Sequence, residues 1–176
     1  MVTEQDKTLK ALRTAIQMEI DGKEYYLKTS QTSSNKMGAK LLRSLSQAED
    51  AHRQKFIDIY ESIRDRSAWP KTELKSDITK GLKTIFSTAT KTMATRTKPL
   101  ESELEAVQTA MKMENKTLDF YTGLLAKATD AAEKSFYKAI AAEEREHHIV
   151  LQNYYEFLKD PTGWFSKSER HSLDGG

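Results

Sequence analysis

The chain has no cysteine. That excludes disulfides, Cys-ligated zinc, iron–sulfur clusters and rubredoxin-type iron sites. Glycine and proline are scarce, at 7 and 3 of 176 residues, which argues against an all-β fold with many tight turns. Neither sign of charge dominates: 28 Lys/Arg stand against 26 Asp/Glu, a formal net charge of +2, so no global field points to a nucleic-acid partner. Long apolar runs are missing too. The opening MVTEQDKTLK lacks the apolar centre of a signal peptide, and no segment reaches membrane-spanning length. The reading is therefore a cytoplasmic protein without nucleic-acid or membrane partners. What remains is 31% charged and 38% hydrophobic residues, the mix of long amphipathic helices, in a chain long enough for one domain with a real core.

Helical periodicity predicts four helices, over about 3–30, 34–66, 100–128 and 131–158. TSSN (32–35) separates the first pair. ATD (128–130) separates the second, with Asp130 placed to cap the fourth helix and Glu133 three residues on. Turns this short make each pair an antiparallel hairpin. Between the hairpins lies a crossover, about 67–99, with room for one short helix in its Thr-rich part. Its residues 71–98 carry seven Lys/Arg against two Asp/Glu, which reads as a solvated basic connection. The bundle domain is expected over 1–160, with 161–176 as a C-terminal tail.

The heptad seams carry an anomaly. In the second helix the seam reads Leu42, Leu45, Glu49, His52, Phe56, Ile59, Ile63. In the fourth it reads Tyr137, Ile140, Glu144, His147, Leu151, Tyr154, Leu158. The third gives Leu104, Val107, Met111, Glu114, Leu118, Tyr121, Leu125, and the first gives Leu9, Leu12, Ile16, Glu19, Lys23, Tyr26. Lys23 interrupts that last seam, and helical drift offers Gly22 in its place. Each seam thus holds acids or histidines at its centre. Within AAEEREHH (141–148), Glu144 and His147 face inward, while Glu143, Glu146 and His148 lie off the seam as surface or supporting groups.

The two halves also match at an offset of 95 residues. AIQMEIDGKEYY (15–26) aligns with AMKMENKTLDFY (110–121), and EDAH (49–52) with EREH (144–147). A duplicated hairpin around a pseudo-twofold axis explains both matches and puts two Glu and two Glu-x-x-His units at one height. One Glu-x-x-His means little, since the composition gives about 0.4 by chance. Two at core positions, in repeat register and each level with a further Glu, mean more. Four buried carboxylates would repel one another, and two divalent cations would balance them. Oxygen-rich donors with one imidazole per metal suit two Fe ions, with Mn or Zn able to substitute.

At these residues the sequence resembles the rubrerythrin-like branch of the ferritin-like di-iron carboxylate superfamily. The resemblance covers about 3–66 and 100–176, and includes the tail DPTGWFSKSERHSLDGG. It implies an all-α, ferritin-like four-helix bundle with a long crossover and a carboxylate-bridged metal pair. It also implies Glu49 and Glu144 shared by both irons, Glu19 and Glu114 as terminal ligands, and His52 and His147 binding one iron each. A homodimer is expected on the same ground. Rubrerythrins proper carry a further carboxylate three residues after the third-helix Glu, where this chain has Thr117, and a Cys-ligated rubredoxin domain that supplies electrons. Here electrons must come from an external donor protein or reductant. Tyr26 and Tyr121 each lie two turns from one of the Glu residues; hydrogen bonding to the carboxylates and plain core packing both fit them.

Three functions follow. The first is a di-iron oxidoreductase that reduces H2O2 or O2, the second a ferroxidase that handles iron, the third a metal-stabilised scaffold or binding module.

Overall fold

The computed structural model describes residues 3–66, 68–72, 84, 88 and 101–164. Four long helices account for most of them: α1 (Glu4–Thr32), α2 (Lys36–Arg66), α3 (Glu101–Lys127) and α4 (Ala131–Lys159). No strand occurs among the described residues. The expected short crossover helix lies outside them except for Thr84 and Thr88, and so do tail residues 165–176. No described helix is long and apolar enough to cross a membrane.

Local chemistry sets the helix starts. Thr3 and Asp6 form a capping box, with Thr3 Oγ1 accepting from the Asp6 N–H at 3.1 Å and the Asp6 carboxylate accepting from the Thr3 N–H at 2.9 Å. Asn35 Oδ1 accepts from the Met37 N–H at 2.9 Å at the head of α2. Asp130 Oδ1 accepts from the N–H groups of Ala132 and Glu133, as the sequence predicts.

α1 packs along α2 and α3 along α4, and the two hairpins meet through α1–α3 and α2–α4. The apolar core forms two separate clusters. One is built on Tyr26, Leu41, Leu45, Val107, Leu151 and Tyr154. The other is built on Leu12, Phe56, Ile59, Tyr121, Phe136 and Ile140. Each draws on all four helices. Trp69, just past α2, joins the second cluster edge-on to Tyr137, with ring centroids 5.5 Å apart.

The α2 and α4 seams are buried as read. Those of α1 and α3 are rotated slightly. Ala15 and Gly22 face inward on α1, and Ala110 and Thr117 on α3, whereas Leu9, Ile16, Leu104, Met111, Leu118 and Leu125 are half-buried flanks. Lys23 turns outward and pairs with Asp50 at 2.8 Å. Small residues thus occupy the inward face of these two helices, where the polar groups need room.

At one end of the bundle a second buried acid appears. Glu103, 7% exposed, accepts from Ser33 Oγ at 2.5 Å, Ser34 Oγ at 3.1 Å and the Tyr154 hydroxyl at 3.0 Å. It ties the α1–α2 turn to α3 and α4. Tyr154 reaches it by lying over Gly38, where a Cβ would stand 1.9 Å from the Tyr154 hydroxyl oxygen.

Candidate metal centre

Between the two apolar clusters lies a layer made of Glu19, Glu49, His52, Glu114, Glu144 and His147. All six are buried, none above 3% exposed. They fall into two groups whose ligand-type atoms all lie within 4.8 Å of one another: Glu19, Glu49, His52 and Glu144, and Glu49, Glu114, Glu144 and His147. Glu49 and Glu144 belong to both. The helices place them as the repeat requires, with one Glu each from α1 and α3 and a Glu-x-x-His turn each from α2 and α4.

Both imidazoles present Nδ1 to the cluster. His52 Nδ1 lies 3.0 Å from Glu144 and 3.4 Å from Glu19. His147 Nδ1 lies 3.2 Å from Glu49, 3.7 Å from Glu114 and 3.8 Å from Glu144. The two rings stack, with centroids 5.4 Å apart and planes 15° from parallel. The tyrosines reach across the bundle. The Tyr26 hydroxyl donates to Glu114 and the Tyr121 hydroxyl to Glu19, so each holds the acid of the opposite hairpin rather than its own.

Two acids sit where seam periodicity gave no warning. Glu143 Oε2 lies 2.9 Å from His52 Nε2, behind the ring. Its only sequence signal was the Glu143–Glu144 doublet, one residue ahead of a seam position. Glu103 lies three turns before Glu114 on the same inward face. His148, also off the seam, is half-buried with Nδ1 3.3 Å from the Met111 carbonyl oxygen.

Burial without compensation governs the electrostatics. Desolvation, then repulsion from Glu144, pushes the Glu49 and Glu114 carboxyls well above the ordinary range. Desolvation and repulsion from Glu19 raise Glu144, although His52 pulls it back in part. Burial alone would lower His52, but its bonds to Glu143, Glu144 and Glu19 outweigh that and raise it well above its usual value. His147 is driven well below its usual value by burial and by the neighbouring His52. No Lys or Arg is buried among the described residues to offset the acids.

The polar atoms themselves test whether cations fit. Glu19 Oε2, Glu49 Oε1, His52 Nδ1, Glu114 Oε2, both Glu144 oxygens and His147 Nδ1 are buried without a hydrogen-bond partner among the described residues. Buried groups left this way are costly unless something coordinates them. At Gly22 the backbone itself makes room, since a Cβ there would lie 3.1 Å from Glu49 Oε2. Oxygen-rich donors with one imidazole in each group suit iron or manganese.

A family model described as Rubrerythrin matches residues 10–155. The chain belongs to the rubrerythrin family. The match spans both hairpins and includes all six residues of the buried layer. No curated protein and no solved structure matches the chain. Rubrerythrin membership agrees with the resemblance read from EDAH and EREH, and the buried Glu/His layer is compatible with a di-iron site.

Proposed function

We propose that this chain is a non-haem di-iron oxidoreductase of rubrerythrin type, reducing hydrogen peroxide, or O2, with electrons from an external donor. One observation carries the reading: two ligand groups that overlap in Glu49 and Glu144. In it these two acids serve both irons, Glu19 and His52 complete one half, and Glu114 and His147 complete the other. Four carboxylates match the charge of two divalent cations. Such a pair of irons supplies, one from each, the two electrons that cleave an O–O bond.

The surrounding residues hold the cluster ready. Tyr26 and Tyr121 fix the free rotation of Glu114 and Glu19 by hydrogen bonding. Desolvation keeps both phenols protonated, so they act as donors at neutral pH. The two apolar clusters shut water out from either end. Thr117, at the position of the further rubrerythrin carboxylate, turns its hydroxyl back to the Met113 carbonyl at 3.1 Å. It offers no seventh acid for an iron to move toward, so both irons stay bound through turnover in this reading.

The test is anaerobic loading with Fe2+, followed by rapid mixing with H2O2 and, in parallel, O2 at equal concentration. Expected are faster loss of ferrous iron with H2O2 and two irons retained per chain after desalting. Faster oxidation by O2 with iron leaving the protein would favour the ferroxidase instead. No oxidation by either would end the redox reading and leave a metal-stabilised scaffold.

A further inference from the structure

The 95-residue repeat gives every residue at the site a counterpart. Glu19 pairs with Glu114, Tyr26 with Tyr121, Glu49 with Glu144 and His52 with His147. The correspondence fails at two positions around the layer. One is Gly22 against Thr117, both buried and uncharged. The other is Ala48 against Glu143, each one residue before a shared acid. Only the second changes what an imidazole meets.

Behind His52, the Glu143 carboxylate lies 2.9 Å from Nε2, with its side chain only 12% exposed. Behind His147, Nε2 is buried and has no hydrogen-bond partner among the described residues. Ala48, 1% exposed, has no polar atom to offer it. The rings therefore face the cluster alike and are backed differently.

An imidazole that binds a cation through Nδ1 carries its proton on Nε2. A carboxylate accepting that N–H fixes the tautomer, holds the ring angle and makes Nδ1 a stronger donor. Glu143 also adds negative charge close to one half only. Outer partners of this kind are worth about 10- to 100-fold in metal affinity.

We infer that the two halves of the site are built unequal: Glu143 is a positioning residue that makes the half containing Glu19 and His52 take a divalent cation first and more tightly, leaving the half containing Glu114 and His147 as the exchangeable one. This rests on the two-metal reading above. It concerns order of occupancy, which that reading leaves open.

The probe is Co2+, which absorbs visibly when bound. The full-length apoprotein is titrated anaerobically against a competing chelator, and crystals with one equivalent are examined by anomalous scattering. Expected in the wild type is a first cobalt beside His52. Glu143→Ala should weaken the first step by about 10- to 100-fold, change the second far less and spread the first cobalt over both halves. Glu143→Gln keeps the volume and an acceptor but not the charge, and should fall between; a purely structural role would make it equal to wild type. Circular dichroism confirms that both variants remain helical. A first cobalt shared evenly or beside His147, or an unchanged first step in Glu143→Ala, overturns the inference while two bound cobalts leave the metal centre standing. No cobalt uptake at all overturns both.

Discussion

Glu49 and Glu144 enter both ligand groups, whereas Glu114 enters one. Alanine at these positions should therefore have unequal effects. Glu114→Ala should keep about one of two metals and Glu144→Ala close to none, because the lost donor serves one cation or both. Elemental analysis of the purified variants checks this, and wild-type metal content in both would dismiss the assignment. Gly22→Ala probes the same layer from the backbone. Alanine favours the helix by about 1 kcal/mol over glycine, but its methyl would press on Glu49 Oε2 from 3.1 Å. The apoprotein should melt slightly higher while metal affinity falls, measured by calorimetry and chelator competition. The six central residues were legible in the sequence because Glu and His at seam positions contradict the apolar pattern around them. Glu143 was not, because a residue off the seam looks like any solvated acid until the opposing ring is seen. Nor could the sequence tell that Tyr26 and Tyr121 would cross to the other hairpin's acid, since spacing along one helix cannot rank partners on another.

The helices were the most legible elements. TSSN and ATD mark both turns because Ser, Asn and Asp compete with the backbone for hydrogen bonds, and α1 through α4 end where that competition begins. The inward faces of α1 and α3 were read one step off. Periodicity favours large apolar residues such as Ile16 and Leu118, while the fold gives the inner positions to Ala15, Gly22, Ala110 and Thr117. Contact between α2 and α4 at the Glu103 end rests on another small residue. Gly38→Ala would drive a methyl into Tyr154 and loosen its bond to Glu103. Overpacking of this kind costs about 1–3 kcal/mol, so the urea midpoint should drop with an unchanged slope. An unaltered midpoint would mean that Tyr154 moves aside freely.

For the molecule as a whole, the polar layer links stability to pH and to metal. Without cations, Glu49, Glu114 and Glu144 hold protons more tightly folded than unfolded. From their ordinary value of 4.5 upward to their raised folded values, the folded apoprotein binds more protons than the unfolded chain, so stability falls as pH rises. His52, also raised, contributes stability below its ordinary 6.5 that is lost as pH climbs through its folded value. His147, lowered, opposes both by losing stability as pH falls below 6.5. Three acids and one histidine outnumber it, so the apoprotein should melt higher near pH 5 than at pH 7. Metal should raise the melting temperature most at pH 7, with the gap narrowing towards pH 5 as protons compete for the ligands. Thermal scans of apo and loaded protein at both pH values check this, and coincident curves at pH 7 would contradict a central metal pair.

The division of the core into two apolar clusters by a charged layer has a consequence for how the hairpins align. A continuous apolar seam lets one hairpin slide along the other by a turn, about 5.4 Å, and still bury carbon against carbon. Here such a slip would carry Glu114 and Glu144 away from Glu19, Glu49 and His52 and set them against side chains such as Phe56 or Leu45. Isolated carboxylates among hydrocarbon would be left on both sides of the mismatch, each costing several kcal/mol. The layer therefore acts as a vernier mark across the bundle, at which only one vertical setting of the two hairpins closes.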